Sequence, residues 1–127
     1  MTDLSGNVLL VDDDRQTRLK LSRILEAQGH TVHAVGGGQE ALSTLATESF
    51  DLILLDILMP RVDGFEVLQT LKADDRLRDL PVIVISALED AQSEEKCRQL
   101  GAQAYLTKPV DADLLNARIV ECLGQEK

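Results

Sequence analysis

The sequence predicts a single α/β domain in which helices cover both faces of a doubly wound parallel β-sheet. Three observations predict it: five short apolar runs recur along the chain, segments with helical periodicity separate them, and several runs are apolar throughout. Continuously apolar strands are typical of sheets buried on both faces, with right-handed crossover helices. The length of 127 residues suits one domain, residues 1–127.

The predicted strands are short runs rich in Val, Ile and Leu, and these residues favour extended backbone in a packed sheet. The fifth run is less apolar than the other four. In chain order the predicted strands are Val8–Val11, Thr31–Val35, Leu52–Leu55, Val82–Ile85 and Ala104–Thr107.

The predicted helices show apolar residues three or four positions apart, which places them on one helical face. In the first, second, third and fifth helices these residues are Leu21, Ile24 and Leu25; Leu42, Leu45 and Ala46; Phe65, Leu68 and Leu71; and Leu115, Ile119 and Cys122. The fourth, residues 90–100, has only Ala91, Cys97 and Leu100. We therefore expect it to dock weakly, either as a solvated helix or as a labile element that can shift.

Local signals predict where the helices begin and end. Asp14, Asp63 and Asp111 can cap the first, third and fifth helices, because a carboxylate accepts hydrogen bonds from free backbone N–H groups. Gly29 and Gly101 are expected to end the first and fourth helices.

The composition argues against several function classes. A net charge of −9 repels nucleic acid and anionic membranes, and few aromatic residues are available to stack on bases. The polar N-terminus lacks the pattern of a secretory signal, and no apolar run is long enough to span a membrane. We expect a soluble, cytoplasmic protein whose Cys97 and Cys122 are reduced and structural.

Polar residues lie at the carboxyl ends of four of the five predicted strands. Asp12 and Asp13 follow the first strand, Asp56 ends the third, Ser86 ends the fourth and Lys108 follows the fifth. Ligands bind outside the carboxyl ends of the strands in doubly wound sheets, so these five residues are expected to meet there. Taken singly, each has an ordinary explanation as a turn, cap or loop residue. Their joint placement favours a site.

Three carboxylates around one point suit a magnesium ion, which would also relieve their mutual repulsion. Lys108 would add positive charge against phosphoryl oxygens, and Ser86 would supply a hydroxyl donor. One carboxylate can then act as a nucleophile and form an acyl phosphate. The pattern therefore predicts a phosphoryl-transfer site.

Four motifs together carry a resemblance over essentially the whole chain. VLLVDDD, DLILLDILMPRVDG, VIVISAL and YLTKP, in this order, resemble the receiver domain of two-component response regulators, chemotaxis regulators among them. The resemblance implies a flavodoxin-like sheet with strand order 2-1-3-4-5. It also implies phosphoryl transfer from a sensor histidine kinase or histidine phosphotransfer protein, and recognition of the modified state by an output protein or domain.

The resemblance assigns the metal site and the phosphoacceptor position by position. It implies that Asp56 is the phosphoacceptor. Asp12 and Asp13 are implied to hold magnesium together with Asp56 and the backbone carbonyl of Leu58. Asp14 lies one residue beyond the family's motif, which leaves helix capping as its simplest role.

The resemblance also assigns the residues that respond to phosphorylation. It implies that the Ser86 hydroxyl follows the phosphoryl group, that Lys108 is its ion-pairing partner, and that the Lys108–Pro109 bond is cis. Tyr105 is implied to be a switch residue, and a half-buried packing residue is the alternative. The face built by helix four, strand five and helix five is then the expected output surface.

Two alternatives of another class stay open from the sequence. One is a magnesium-dependent phosphatase with an aspartate nucleophile. Enzymes of that kind have a second Asp two residues after the nucleophile, which acts as acid and base. Leu58 occupies that position here, so rapid turnover is not expected. A phosphorylation-independent interaction module is the other. Apolar Leu58 and Leu88 beside the site suggest slow self-dephosphorylation instead of enzymatic turnover.

The sequence leaves the assembly of the protein open. The chain ends soon after the fifth helix, at GQEK, so both a single-domain regulator and a piece of a longer protein fit the pattern. A homodimer likewise stays open.

Overall fold

Five parallel strands form one sheet, in the order β2-β1-β3-β4-β5. The computed structural model describes residues 6–59, 63–87 and 91–124. The strands are β1 (Asn7–Val11), β2 (Thr31–Val35), β3 (Leu52–Asp56), β4 (Val82–Ser86) and β5 (Ala104–Thr107). The predicted fold class and strand order are confirmed.

Five helices alternate with the strands. They are α1 (Arg15–Ala27), α2 (Gly38–Thr47), α3 (Gly64–Ala73), α4 (Ala91–Gln99) and α5 (Ala112–Gly124). Among the described residues, no helix is long and apolar enough to cross a membrane.

Two apolar clusters lie on opposite faces of the sheet, because successive strand residues point to opposite sides. Leu9 and Ile53 belong to the cluster covered by α2, α3 and α4. Leu10 and Leu54 belong to the cluster covered by α1 and α5. Cys97 and Cys122 are free, buried thiols on opposite faces, in agreement with the predicted structural role.

All five predicted helix boundaries are confirmed. The carboxylate of Asp14 accepts a hydrogen bond from the Thr17 N–H at 3.1 Å, and Asp63 forms a capping box at the start of α3. Asp111 accepts from the N–H of Asp113, in the first turn of α5. Gly29 and Gly101 have φ angles of 93° and 105°, the left-handed backbone that ends many helices and favours glycine.

Helix α4 has the weak anchoring that the sequence predicts. Cys97 is its one buried residue, and the Lys96 ammonium lies 4.1 Å from the centre of the Phe65 ring on α3. Leu100 packs against the core, but just beyond the end of the helix.

The strands β3 and β4 each extend one residue past their apolar run and end at the polar residue, as the sequence predicts. Asp56 and Ser86 are themselves the last residues of these strands, since their backbones still pair with neighbouring strands: Asp56 with Ile85, and Ser86 with Thr107. The apolar pattern stops earlier because these last two side chains are polar. Their positions are therefore set by the rigid sheet and not by a loop.

Candidate functional site

The predicted polar residues meet at the carboxyl edge of the sheet. Asp12 directly follows β1, Asp56 ends β3, Ser86 ends β4 and Lys108 directly follows β5. Asp12, Asp56 and Ser86 are almost completely buried, with at most 2% of each residue exposed. Buried carboxylates need a cation or hydrogen bonds to offset the loss of hydration.

One oxygen from each of Asp12, Asp13 and Asp56 lies within 4.8 Å of the other two. In the buried pair, backbone groups hold the Oδ1 atoms: the Asp14 N–H donates to Asp12 at 2.8 Å, and the Leu58 N–H donates to Asp56 at 3.1 Å. The other oxygen of Asp12, Oδ2, is buried and faces the Lys108 ammonium. Three hard oxygen donors gathered at one point fit a divalent cation such as magnesium.

Lys108 forms ion pairs with both buried carboxylates. Its Nζ lies 2.9 Å from Oδ2 of Asp12 and 3.3 Å from Oδ2 of Asp56. Burial disfavours the ammonium, but the two carboxylates outweigh burial and raise the pKa of Lys108 above its ordinary value. The backbone N–H of Lys108 donates to the Ser86 carbonyl at 2.8 Å, and the bond to Pro109 is cis, as the resemblance implies.

The environment of Asp56 opposes its negative charge. Burial is the main cause and the charge of Asp12 the next, and together they raise the pKa of Asp56 to about 6. The Lys108 ammonium and the Leu58 N–H offset part of this effect. A further cation would favour the ionised carboxylate, which is the form that can attack phosphorus.

Three other residues singled out in the sequence analysis are Leu58, Tyr105 and Leu88. The side chain of Leu58 follows Asp56 by two positions and is exposed, at 47% of the residue. Tyr105 is half-buried on the face covered by α2, α3 and α4, where it lines a cavity of about 40 Å³ together with Cys97 and Arg98 of α4. Leu88 lies outside the described residues.

The sequence interpretation missed Gly64, which lets α3 start against the end of β3. Its N–H donates to the Ile57 carbonyl at 3.0 Å. A Cβ atom there would lie 2.5 Å from Cα of Ile57 and closer still to the carbonyl oxygen of Asp56. The Asp-Gly pair at positions 63 and 64 was the one sequence signal for a special backbone position. The sequence does not show that Gly64 lies against the backbone of Ile57.

The sequence interpretation also missed Arg18, which supports the backbone of the acidic pair. Its Nη1 donates to the carbonyl oxygen of Asp12 at 2.8 Å, while the Asp12 N–H donates to the Val35 carbonyl at 3.2 Å. A basic residue near the start of a helix is unfavourable, because it lies close to the positive end of the helix dipole. This unfavourable position was the one sequence signal that Arg18 has another role.

The chain is similar to known signalling proteins over most of its length. A family model described as response regulator receiver domain matches residues 8–120. The polar-differentiation response regulator DivK of Brucella anthropi is 38% identical over 91% of this chain and 95% of its own. Response regulator MprA of Mycobacterium ulcerans is 37% identical over 98% of this chain, but the chain spans only 53% of that relative.

A solved structure with a bound metal is also similar. It is the receiver domain of the sensor histidine kinase PA1611 from Pseudomonas aeruginosa PAO1, with a magnesium ion coordinated in its active site cleft. The two share 26% identity and a TM-score of 0.88, over 95% of this chain and 99% of that one.

Proposed function

Because the chain belongs to the response regulator receiver domain family of two-component signalling, we propose that Asp56 accepts a phosphoryl group from a partner protein. The donor is a phosphohistidine on a sensor histidine kinase or a histidine phosphotransfer protein. The observation that carries the proposal is the meeting of buried Asp56 with Asp12, Asp13 and Lys108 at one edge of the sheet.

The transfer is a single displacement at phosphorus. A carboxylate oxygen of Asp56 forms the new O–P bond while the N–P bond of the phosphohistidine breaks, and the imidazole nitrogen keeps the electron pair. Lys108 is positioned to stabilise negative charge on the phosphoryl oxygens, since its Nζ is 3.3 Å from Asp56. The Ser86 hydroxyl is the proposed donor to the phosphoryl group after transfer.

The residues that would hold magnesium are Asp12, Asp13, Asp56 and the backbone carbonyl of Leu58. When bound, the ion neutralises charge on the carboxylates and on the phosphoryl oxygens. The solved receiver domain with magnesium supports this part of the proposal.

Phosphorylation is proposed to act on the face built by α4, β5 and α5. Helix α4 joins β4, which ends at Ser86, to β5, which carries Tyr105, and α4 has a single buried residue. A charge change at Asp56 can bias such a weakly anchored element. If Tyr105→Ala and the wild type bound an output partner identically in both phosphorylation states, this route would be wrong.

The phosphorylated state is proposed to last, because the position two residues after Asp56, where the phosphatase alternative requires a second Asp to activate water, holds no carboxylate. The exposed, apolar side chain of Leu58 occupies that position. Leu58→Asn should therefore speed loss of the phosphoryl group in the purified, magnesium-loaded protein. An unchanged rate, or loss within seconds in the wild type, would contradict the proposal.

Intact mass after treatment with phosphoramidate tests the central proposal. We expect a single phosphoryl adduct on the wild type with magnesium and none with a chelator. Asp56→Asn should remove the adduct, whereas Asp14→Asn, a neighbouring acid that only caps α1, should keep it. No adduct on folded wild type would favour a phosphorylation-independent interaction module, and continuous release of phosphate would favour the phosphatase.

A further inference from the structure

Arg18 on α1 turns back onto the chain that leads to the acidic cluster. It is half-buried, and its Nη1 donates to the carbonyl oxygen of Asp12 at 2.8 Å. Partial burial disfavours a cation, and so does a position near the positive end of the helix dipole. The guanidinium nevertheless contacts the backbone of a predicted metal ligand. This contact points to a role for Arg18 at the acidic cluster.

The bond from Arg18 fixes the peptide plane between Asp12 and Asp13. A trans peptide is rigid, so the carbonyl of Asp12 and the N–H of Asp13 keep one common orientation. The next peptide plane is held as well, because the Asp14 N–H donates to Oδ1 of Asp12 at 2.8 Å. Asp13 therefore stands between two fixed peptide planes, although it is itself exposed.

The loop between β2 and α2 leaves the space that Arg18 needs. A Cβ atom at Gly36 would lie 3.3 Å from Nη1 of Arg18, which is closer than an ordinary contact. The loop is held in turn by two hydrogen bonds: the Gly36 N–H donates to the Glu40 carboxylate at 3.1 Å, and the Asp12 N–H donates to the Val35 carbonyl at 3.2 Å. Arg18 is therefore enclosed between the acidic pair and a fixed loop.

We propose that Arg18 is a positioning residue for magnesium, which sets the affinity of the acidic cluster for the ion by holding Asp13 in place. The inference rests on the proposed function and adds a residue outside the set of ligands. Groups that hold metal ligands without touching the metal often determine its affinity. Asp13 gains most from this support, because Asp12 and Asp56 are already fixed by burial at the ends of strands.

The charge of Arg18 and its positioning role have opposite effects on metal binding. A positive charge near three carboxylates repels a cation, so removal of the charge alone would tighten magnesium binding. Loss of the bond to the Asp12 carbonyl would instead free the peptide between Asp12 and Asp13 and weaken binding. The sign of the change in affinity therefore separates the two effects.

Magnesium titrations followed by amide NMR measure this affinity without any phosphoryl transfer, and the same spectra report whether each variant is folded. We expect Arg18→Met to bind magnesium about tenfold more weakly than the wild type. Arg15→Met removes the same charge from an exposed residue at the start of the same helix and should bind at least as tightly as the wild type. Unchanged or tighter binding by Arg18→Met, or an equal loss in Arg15→Met, would overturn the proposal.

The two glycines before α2 provide an independent test of the same contact. Gly36→Ala should displace the guanidinium and weaken magnesium binding, by less than Arg18→Met does. Gly37→Ala should match the wild type, because no atom lies within 4 Å of a Cβ atom at Gly37. In the Arg18→Met background, Gly36→Ala should cause no further loss, since its effect depends on the guanidinium. Additive losses would overturn the role of this contact.

The proposed function and the positioning role fail in different ways. Absence of a phosphoryl adduct on the wild type with phosphoramidate and magnesium would overturn the proposed function. Arg18→Met keeps every proposed ligand, so it should label slowly at low magnesium and approach the rate of the wild type at saturating magnesium. Normal labelling of the wild type, together with an Arg18→Met rate that is equally reduced at every magnesium concentration, would overturn the positioning role alone.

Discussion

Burial and the neighbouring carboxylate of Asp12 make ionisation of the Asp56 carboxyl unfavourable in the folded protein. Its pKa is about 6 in the folded protein, against an ordinary value of 3.8. The folded state therefore binds this proton more tightly than the unfolded chain does. The resulting stabilisation is complete below about pH 4 and is lost as the pH rises through about 6. Above that pH, ionised Asp56 costs about 3 kcal/mol.

Asp56→Asn should therefore stabilise the metal-free protein at neutral pH. We expect its free energy of unfolding to exceed that of the wild type by about 1–3 kcal/mol at pH 7.5, because the variant has no carboxylate to ionise at this position. The lower end of this range reflects the loss of the ion pair between Asp56 and Lys108. The difference should shrink towards zero near pH 4. Urea unfolding in a chelator at both pH values measures it.

Asp63→Asn is the control for this prediction, because asparagine also caps helices and Asp63 lies outside the acidic cluster. Its free energy of unfolding should stay within about 1 kcal/mol of that of the wild type at pH 7.5. A pH-independent gain for Asp56→Asn would show that packing, and not charge, is responsible.

Gly64 is the second residue on which the site depends. Gly64→Ala would push a Cβ atom into the backbone at the end of β3, to 2.5 Å from Cα of Ile57. We expect a loss of about 1–3 kcal/mol in the free energy of unfolding. Phosphoramidate labelling should also slow, since Asp56 is the residue next to Ile57.

Gly37→Ala is the matched control for Gly64→Ala. No atom lies within 4 Å of a Cβ atom at Gly37, and its backbone is extended, with φ −168°. This variant should stay within about 1 kcal/mol of the wild type and label normally. Equal losses in both variants would mean that helix-start effects, and not the close approach to β3, explain Gly64.

At the scale of elements, the helices differ in how firmly they are attached. Helix α5 buries Leu115, Ile119, Cys122 and Leu123, whereas α4 buries only Cys97. Both are short helices on the sheet, so this difference in buried apolar surface should decide their local stability.

The backbone amides of α4 should therefore exchange with solvent at least about tenfold faster than those of α5. Hydrogen exchange followed by NMR measures this directly. Phe65→Leu removes the ring beneath Lys96 and should speed exchange in α4 while leaving α5 unchanged. Equal protection of the two helices would contradict the assignment of α4 as the labile element.

At the scale of the whole molecule, a metal ion held by the acidic cluster would couple metal binding to folding. Asp12 and Asp13 follow β1 and Asp56 ends β3, so the cluster forms only when the sheet is assembled. An ion that binds only the folded state stabilises it, by about 2.7 kcal/mol at one hundred times the dissociation constant.

Magnesium should accordingly raise the Tm of the wild type in a concentration-dependent way. Asp13→Asn removes one donor and should weaken this shift. Asp14→Asn retains the helix cap and lies outside the cluster, so its shift should match that of the wild type. Equal shifts in all three proteins would indicate non-specific screening of the net charge. Differential scanning fluorimetry is sufficient for the comparison.

Most of the fold and the candidate site could be predicted from local patterns. Apolar runs located all five strands, and carboxylates and glycines located the helix ends, because capping and left-handed backbone depend on a few neighbouring residues. The convergence of Asp12, Asp56, Ser86 and Lys108 followed from parallel strands, whose carboxyl ends share one edge.

The sequence by itself therefore determined the elements, their order and the polar residues that meet at one edge. Only the tertiary structure decided the fit of Gly64 against Ile57, the contact of Arg18 with the Asp12 carbonyl and the raised pKa of Asp56. The physical reason is that these properties depend on distances and burial between residues remote in the chain, which no local pattern records.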